Sequence, residues 1–342
     1  MLQIAIIGAA HAHVDYVLDE LGRDDRDDFR LIGVQDRDRS IAQQHADRFG
    51  VLACDRPEQL LDEGVDLAVV AGVYGDRGSD VVRALEAGAH VLVDKPLCTT
   101  LAQLDAIEEA AARTGRTVSL LLEKRGYPET RAALAAVRAG ALGEVVGVTS
   151  SGPHKLNASS RPDWFFSTAE YGGIIGDLAV HDLDAALLFA PADAGTVAGA
   201  TAAPLKGHPD FARYGAATLV TATAVITSEV SWLTPQASDI HGDYRMRLVG
   251  TSGTAEIFWA RGRVELTTAD EPLRELELPA PRRPAEDALD AFRDGRVPEV
   301  DTDASVTATR LALLAQASAS QGGAPLSWTR ARDHSATRQE RS

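Results

Sequence analysis

The stretch LQIAIIGAAHAH, residues 2–13, decides the fold, because a nearly continuous apolar run leads directly into a loop that opens with a glycine. Strands that helices cover on both faces carry such apolar runs. Segments of helical period at 79–87 and 101–112 alternate with further short apolar runs, which lie at 31–35, 66–73, 90–93 and 118–122. This alternation predicts an α/β domain with a parallel sheet, whose ligands bind where the strands end.

Composition restricts the classes of function. The chain has 342 residues, 45% of them hydrophobic, which is enough for two cores, and a formal net charge of −16. Nucleic acids and anionic membrane surfaces repel such a charge, so small molecules are the expected partners. The two cysteines, Cys54 and Cys98, and the lack of a leader segment predict a cytoplasmic protein. No apolar run reaches the roughly 20 residues that cross a bilayer, so we expect no membrane span.

The loop after the first strand carries a weak dinucleotide fingerprint. Gly8, Ala10 and His13 occupy the three positions where that fingerprint has glycine. Histidine is a poor phosphate anchor near neutral pH, so the sequence favours no chemical role for His11 or His13, although His13 could point toward a ligand.

Asp36 is the stronger cofactor marker. It follows the second predicted strand, where a carboxylate can accept hydrogen bonds from both ribose hydroxyls of NAD. Arg37 comes next and could instead bind the 2′-phosphate of NADP, so the sequence predicts NAD and leaves NADP possible.

Two later stretches carry candidate chemistry. Asp94, Lys95 and Pro96 close the fourth predicted strand, and GGIIGDLAVHDLD, residues 172–184, begins an apolar helix. Asp177, His181 and Asp184 are spaced four and three residues apart, which predicts that they share one helix face. Carboxylates and an imidazole together can also bind a divalent ion, but the sequence favours no metal.

The ordered set of motifs resembles the Gfo/Idh/MocA family of NAD(P)-dependent oxidoreductases. The resemblance rests on the loop at Gly8 and on Arg125 after the fifth strand, together with four stretches: GAHVLVDKPLCTT (88–100), AGALGEVVGV (139–148), the helix at 172–184 and LVGTSGTAEI (248–257). Two features depart from the family pattern: Asp94 replaces a common glutamate, and the loop at 72–77 lacks the usual Thr-Pro.

This resemblance implies two domains and a tail. A Rossmann domain is expected at 1–123, an α+β domain with a large, open, mainly antiparallel sheet at 124–329, and a polar tail at 330–342. Threonine-rich, β-branched runs agree with the second sheet, at 145–150, 196–202, 216–221, 226–232 and 245–249, and helical segments return at 285–293 and 306–318. The sheet often forms the oligomer interface in the family, which implies a homodimer or homotetramer.

The resemblance also implies roles for single residues. Lys95, Asp177 and His181 are the expected catalytic set, with Lys95 stabilising an alkoxide and His181 acting as acid and base. The expected cofactor-binding residues are Gly8, Ala9, Ala10, His11, Asp36, Arg37, Gly72, Val73, Tyr74, Asp94, Lys95 and Pro96. The expected substrate-binding residues are Lys95, Arg125, His154, Trp164, Asp177 and His181.

The resulting hypothesis is hydride transfer between NAD(P) and a secondary hydroxyl or ketone of a sugar, cyclitol or related polyol. The departure at the glycine loop leaves a second hypothesis open, an NAD-binding sensor or regulatory protein without turnover. In a third, tightly bound NAD supports redox-assisted elimination or hydrolysis, and no reduced cofactor accumulates.

Overall fold

A computed structural model of the chain describes residues 1–330, so the predicted polar tail lies almost entirely outside the described residues. The first sheet has six strands, all parallel, in the order β3-β2-β1-β4-β5-β6. These strands are β1 Leu2–Ile7, β2 Phe29–Gln35, β3 Leu52–Cys54, β4 Leu67–Val70, β5 His90–Asp94 and β6 Val118–Leu121. The predicted parallel α/β domain is confirmed.

Helices connect these strands and cover both faces of the sheet. They are α1 Val14–Leu21, α2 Arg39–Phe49, α3 Glu58–Leu61, α4 Tyr74–Glu86 and α5 Leu101–Thr114. Sequence patterning missed β3, because three residues are too few to show a period. It also extended the strand at 66–73 too far, since β4 ends at Val70 and α4 begins at Tyr74.

The second sheet has nine strands in the order β14-β13-β12-β11-β7-β10-β9-β8-β15. Every neighbouring pair is antiparallel except β7 with β10, which confirms the predicted mainly antiparallel sheet. Its strands are β7 Val145–Pro153, β8 Ala194–Leu205, β9 His208–Val220, β10 Val225–Ser231, β11 Arg245–Gly250, β12 Gly253–Phe258, β13 Arg263–Thr268, β14 Arg274–Glu275 and β15 Leu326–Thr329.

Five α-helices follow β6 in the described part of the chain. They are α6 Pro128–Arg138, α7 Thr168–Tyr171, α8 Val180–Phe189, α9 Glu286–Arg293 and α10 Thr302–Ser320. A π-helical turn, Ile175–Ala179, leads into α8. The predicted helix at 172–184 is therefore not a uniform α-helix.

The last two helices return to the first domain. On α10, the hydroxyls of Thr302 and Ser305 accept hydrogen bonds from the backbone N–H groups of Val118 and Leu120, at 2.9 and 3.0 Å. These hydroxyls satisfy part of the edge of β6, which would otherwise present unpaired groups. Leu289 of α9 is fully buried in the core beneath β1.

Within residues 1–330, we find no helix that is long and apolar enough to span a membrane.

Candidate active site

A cavity of about 240 Å³ lies at the carboxyl end of the parallel sheet, between that sheet and the second domain. Its position follows from the fold, because the loops after parallel strands meet at one edge. The lining residues include three cations, one carboxylate, five histidines and five aromatic side chains. They are His11, His13, Tyr16, Tyr74, Lys95, Glu123, Lys124, Tyr127, His154, Arg161, His181, Trp232, His241 and Tyr244, with Ala12 and Leu178.

Lys95 reaches this cavity from the end of β5 and binds a carboxylate from the second domain. Its Nζ atom lies 2.6 Å from Oδ1 of Asp177, and the two residues are 6% and 0% exposed. Burial by itself raises the pKa of Asp177, but the charge and hydrogen bond of Lys95 outweigh burial and lower it. The Asp177 carboxylate is therefore ionised at neutral pH, and its contact with Lys95 joins the two domains.

Arg77 holds the turn that carries Lys95. The Lys95–Pro96 peptide bond is cis. The fully buried guanidinium of Arg77 donates to the carbonyl oxygens of Asp94, Lys95 and Pro96 at 2.6, 2.6 and 3.1 Å, and to that of Gly72 at 2.9 Å. Sequence reasoning did not assign Arg77 a role, because nothing in the sequence shows that this helical arginine turns inward.

The Asp94 carboxylate is the meeting point of three side chains. Oδ2 lies 2.7 Å from His11 Nδ1 and 2.8 Å from Arg77, and Oδ1 lies 2.9 Å from His13 Nδ1. Burial opposes the charge of Asp94, but these three neighbours, with His11 contributing most, hold its pKa well below the usual value. Burial lowers the pKa of His11 to about 4 despite the nearby carboxylate, so His11 is neutral at pH 7.

In this cluster both loop histidines contact Asp94, and the absence of a chemical role for them stays a prediction. The candidate ligand atoms of His11, His13 and Asp94 lie within 4.8 Å of one another, a spacing that a metal ion could bridge. Arg77, however, already supplies a positive charge to the same carboxylate, which disfavours a second cation there.

His181 lies on α8 just after the π-helical turn and lines the cavity. Burial, followed by the charges of Lys95 and Lys124, lowers the pKa of its imidazole well below the usual value. Its Nδ1 atom has no hydrogen-bond partner and lies 3.6 Å from Oε2 of Glu123, which is also buried and unpartnered. Sequence reasoning missed Glu123, although its place two residues after the end of β6 could have identified it.

Two other carboxylates, both on α8, bind cations other than Lys95. Asp184 accepts two hydrogen bonds from the guanidinium of Arg125, at 2.6 and 2.7 Å, and Asp182 binds Lys124. Asp177 and Asp184 therefore bind different cations. The structure does not bring Asp177, His181 and Asp184 together around one point where a metal ion could bind. Arg125 is not among the residues that line the cavity, so its contact with substrate stays a prediction.

A second cavity, of about 230 Å³, follows the ends of β1, β2 and β4 and collects several of the predicted cofactor residues. Gly8, Asp36, Arg37, Gly72 and Val73 line it. A Cβ atom at Gly8 would lie 2.5 Å from Cα of Gly72, and Gly8 has φ of +76°, so this close approach requires glycine.

The Asp36 carboxylate organises the predicted phosphate loop. It is 2% exposed and accepts hydrogen bonds from the backbone N–H groups of Ala9 at 2.6 Å and Asp38 at 2.8 Å. Arg37, in contrast, is engaged with Glu170 at 2.7 Å and Asp76 at 3.2 Å.

The remaining predicted residues surround the first cavity. His154 and Tyr74 line it, and Trp164 packs against Tyr74 with ring centroids 5.0 Å apart. Ala10, partly buried, belongs to the loop after β1, and Pro96 is buried in the turn after β5. Burial lowers the pKa of His154 to about 3, so this imidazole is neutral.

Comparisons with known proteins agree with this architecture. The model described as "Oxidoreductase family, NAD-binding Rossmann fold" matches residues 2–121, and the model described as "GFO/IDH/MocA C-terminal domain" matches residues 130–256. A solved structure from Thermotoga maritima superposes with a TM-score of 0.86 at 24% identity and covers 96% of this chain and 100% of its own.

Two curated relatives are similar to part of the chain. D-glucoside 3-dehydrogenase of Escherichia coli (strain K12) is 30% identical over 195 residues, which are 54% of this chain and 53% of that protein. scyllo-Inositol 2-dehydrogenase (NAD(+)) of Bacillus subtilis (strain 168) is 25% identical over 234 residues, 66% of this chain and 65% of that protein. The chain therefore spans between about half and two thirds of the length of these relatives.

Proposed function

This chain belongs to the Gfo/Idh/MocA oxidoreductase family, and from that membership we propose that it transfers a hydride between NAD and a hydroxyl-bearing carbon of a sugar, cyclitol or related polyol. Two of its relatives are named as dehydrogenases of a glucoside and an inositol, which supports the substrate class.

One observation carries the proposal: Lys95 and His181 line the same cavity at the end of the parallel sheet. Oxidation of a secondary alcohol requires a base for the hydroxyl proton and a positive charge beside the oxygen as its negative charge develops. An ammonium and a neutral imidazole are suited to these two tasks.

His181 is the proposed base. Because its pKa is lowered, it is unprotonated at neutral pH and can accept the hydroxyl proton. The Glu123 carboxylate, 3.6 Å from Nδ1, can then stabilise the imidazolium. Glu123 is thus a proposed positioning residue.

Lys95 is the proposed alkoxide stabiliser. One hydrogen of its ammonium group is directed to Asp177 at 2.6 Å, which fixes the group and leaves two hydrogens for other acceptors. Asp177 acts through Lys95 by keeping it in place. Removal of a fixed donor of this kind typically lowers turnover by about 10²- to 10³-fold.

The cavity lined by Gly8, Asp36 and Gly72 fits the adenosine half of NAD. The close approach of Gly8 to Gly72 leaves no room for a side chain, as expected where a backbone cradles a cofactor. Asp36 can accept from ribose hydroxyls, since each carboxylate oxygen retains a free lone pair. When bound, NAD supplies the hydride acceptor.

The same cavity disfavours the 2′-phosphate of NADP. Besides Asp36, the carboxylates of Asp76 and Asp80 line it. The guanidinium groups of Arg37 and Arg83 are already paired with carboxylates. A phosphate would have to displace these pairs, so we propose a preference for NAD.

A direct test measures nucleotide binding and turnover separately. NADH and NADPH are titrated into the protein by fluorescence, and NAD is then offered with a panel of sugars and cyclitols while absorbance of the reduced nicotinamide is recorded. We expect Lys95→Ala to bind NADH and to lose turnover. Lys206→Ala, at an exposed position between β8 and β9, is the control.

Three outcomes contradict the proposal. Failure to bind either nucleotide would exclude nicotinamide chemistry. Tight NADH binding without turnover on any substrate would favour the sensor hypothesis. Substrate consumption without accumulation of NADH would favour redox-assisted elimination or hydrolysis.

We also propose that a second copy of the chain covers part of the nine-stranded sheet. Val220 and Val225 are cross-strand neighbours and are 44% and 47% exposed, so two apolar side chains lie side by side at the surface of the sheet. Light scattering tests this proposal by measuring the molar mass of the protein and of Val225→Glu. A monomer in both cases would refute it. The cytoplasmic location stays a prediction.

A further inference from the structure

Arg161 differs from the other two cations of the active-site cavity. Lys95 and Lys124 each bind a buried carboxylate. The Nε atom of Arg161 donates to the carbonyl oxygen of Leu156 at 3.1 Å, and no carboxylate of residues 1–330 forms an ion pair with its guanidinium. Its two terminal amino groups therefore remain available at the cavity wall.

Aromatic rings hold this guanidinium in place. Its central carbon lies 4.5 Å from the ring centroid of Phe165 and 5.2 Å from that of Trp232. Stacking on two rings restricts the planar group without using its hydrogen-bond donors. Little further ordering is needed when an anion binds, and such preorganisation favours affinity.

Arg161 and the one carboxylate that lines the cavity, Glu123, do not form an ion pair with each other. Oε2 of Glu123 instead lies 3.6 Å from Nδ1 of His181. The positive charge of Arg161 is therefore not neutralised by the cavity wall.

We propose that Arg161 binds a carboxylate of the substrate, so that the chain acts on a sugar acid rather than on a neutral sugar. The two free amino groups of a guanidinium match the two oxygens of a carboxylate. The remaining hydroxyls of the sugar acid then extend toward Lys95 and His181. This inference rests on the proposed function, which assigns the reacting hydroxyl of the substrate. It adds that the same substrate carries a carboxylate.

The kinetic test compares matched substrates. Gluconate and glucuronate are measured against glucose, and glucose 6-phosphate is added to distinguish a carboxylate from a phosphate. We expect the acids to have the higher kcat/KM in the wild type. Arg161→Met should lower kcat/KM for the acids by about 10- to 100-fold, mainly through KM, and change the value for glucose by less than about threefold.

Two further variants separate a binding role from a structural one. Arg161→Lys retains the charge but not the paired donors, and should restore part of the loss. Arg138→Met removes an exposed arginine on α6 and should leave all values unchanged. Equal losses on acids and on glucose in Arg161→Met, or a wild-type preference for glucose or for glucose 6-phosphate, would overturn the inference.

Calorimetric titration of gluconate into the protein in the presence of NADH measures binding alone, so it tests the inference without requiring turnover. Gluconate binding that is lost in Arg161→Met supports the anionic subsite even if no substrate is oxidised, in which case only the proposed function fails. Oxidation of neutral sugars without measurable gluconate binding supports the proposed function and overturns the subsite. If Arg161→Met does not fold, Arg161→Lys serves in both measurements.

Discussion

The ion pair between Lys95 and Asp177 provides the sharpest test of the site, through Lys95→Met. This change keeps most of the side-chain volume and leaves a fully buried carboxylate without the cation that lies 2.6 Å from it. Breaking a buried pair from one side typically costs about 3–5 kcal/mol of folding stability. We expect a loss of this size in the free energy of unfolding at about pH 7.5.

The double variant Lys95→Met/Asp177→Asn isolates the pair. With both charges removed, no unpaired ion is left, so its stability should be within about 1 kcal/mol of the wild type. The two single losses should therefore be strongly non-additive, with a coupling energy on the order of 3 kcal/mol.

The pH dependence has a defined sign. In the wild type the pKa of Asp177 is lowered, so its stabilising contribution is present above the unfolded pKa and is lost as pH falls through the folded pKa. In Lys95→Met, Lys95 no longer opposes burial, so the pKa of Asp177 is raised. The buried negative charge therefore destabilises the variant at high pH, and protonation of Asp177 removes this destabilisation as the pH falls. The difference in the free energy of unfolding between the wild type and Lys95→Met should therefore decrease as the pH falls from about 7.5 to about 5.

Urea unfolding, followed by tryptophan fluorescence at both pH values, measures these differences. The buried Trp232 reports on the second domain close to the site. A loss below about 1 kcal/mol in Lys95→Met, or one that is equal at both pH values, would refute the reasoning, because either result means that the carboxylate is not buried against Lys95.

Three other predictions follow from the site. His181→Gln should lower kcat by about 10²- to 10⁴-fold with NADH affinity unchanged, and in the wild type the acid limb of the kcat/KM profile should lie below the usual histidine range, because the pKa of His181 is lowered. A stopped assay across pH checks both, and an ordinary acid limb would contradict the assignment. Gly8→Ala should abolish NADH binding in fluorescence titration, since its Cβ would lie 2.5 Å from Cα of Gly72; retained affinity would show that the loops are not in contact. Asp36→Ala should weaken NADH binding more than NADPH binding in the same titration, and an equal loss would mean that Asp36 only organises the loop.

Much of the fold follows from local sequence patterns. The continuous apolar runs at β1 and β4 specify strands that are buried on both faces, and β-branched residues predict β7 and β10. These patterns depend only on neighbouring residues, which is why they are visible without coordinates. Lys95 and His181 were identified through the resemblance of short motifs to the Gfo/Idh/MocA family.

Pairings between distant residues are not visible in the sequence. Arg77 and the two loop histidines meet at Asp94, and Asp184 turns to Arg125 rather than toward Asp177. A period of 3.6 predicted one shared face for Asp177, His181 and Asp184, but Asp177 lies in a π-helical turn, which changes the register before His181.

By itself, then, the sequence determined the parallel α/β domain, because its apolar runs and helical periods are local, and the resemblance of short motifs to a family supplied the type of the second sheet and the candidate ammonium and imidazole. Only the tertiary structure decided which charges neutralise one another, and that no carboxylate of residues 1–330 forms an ion pair with Arg161. The reason is physical: charges pair according to their distance and burial in space. Lys95 and Asp177 form such a pair although they are 82 residues apart along the chain.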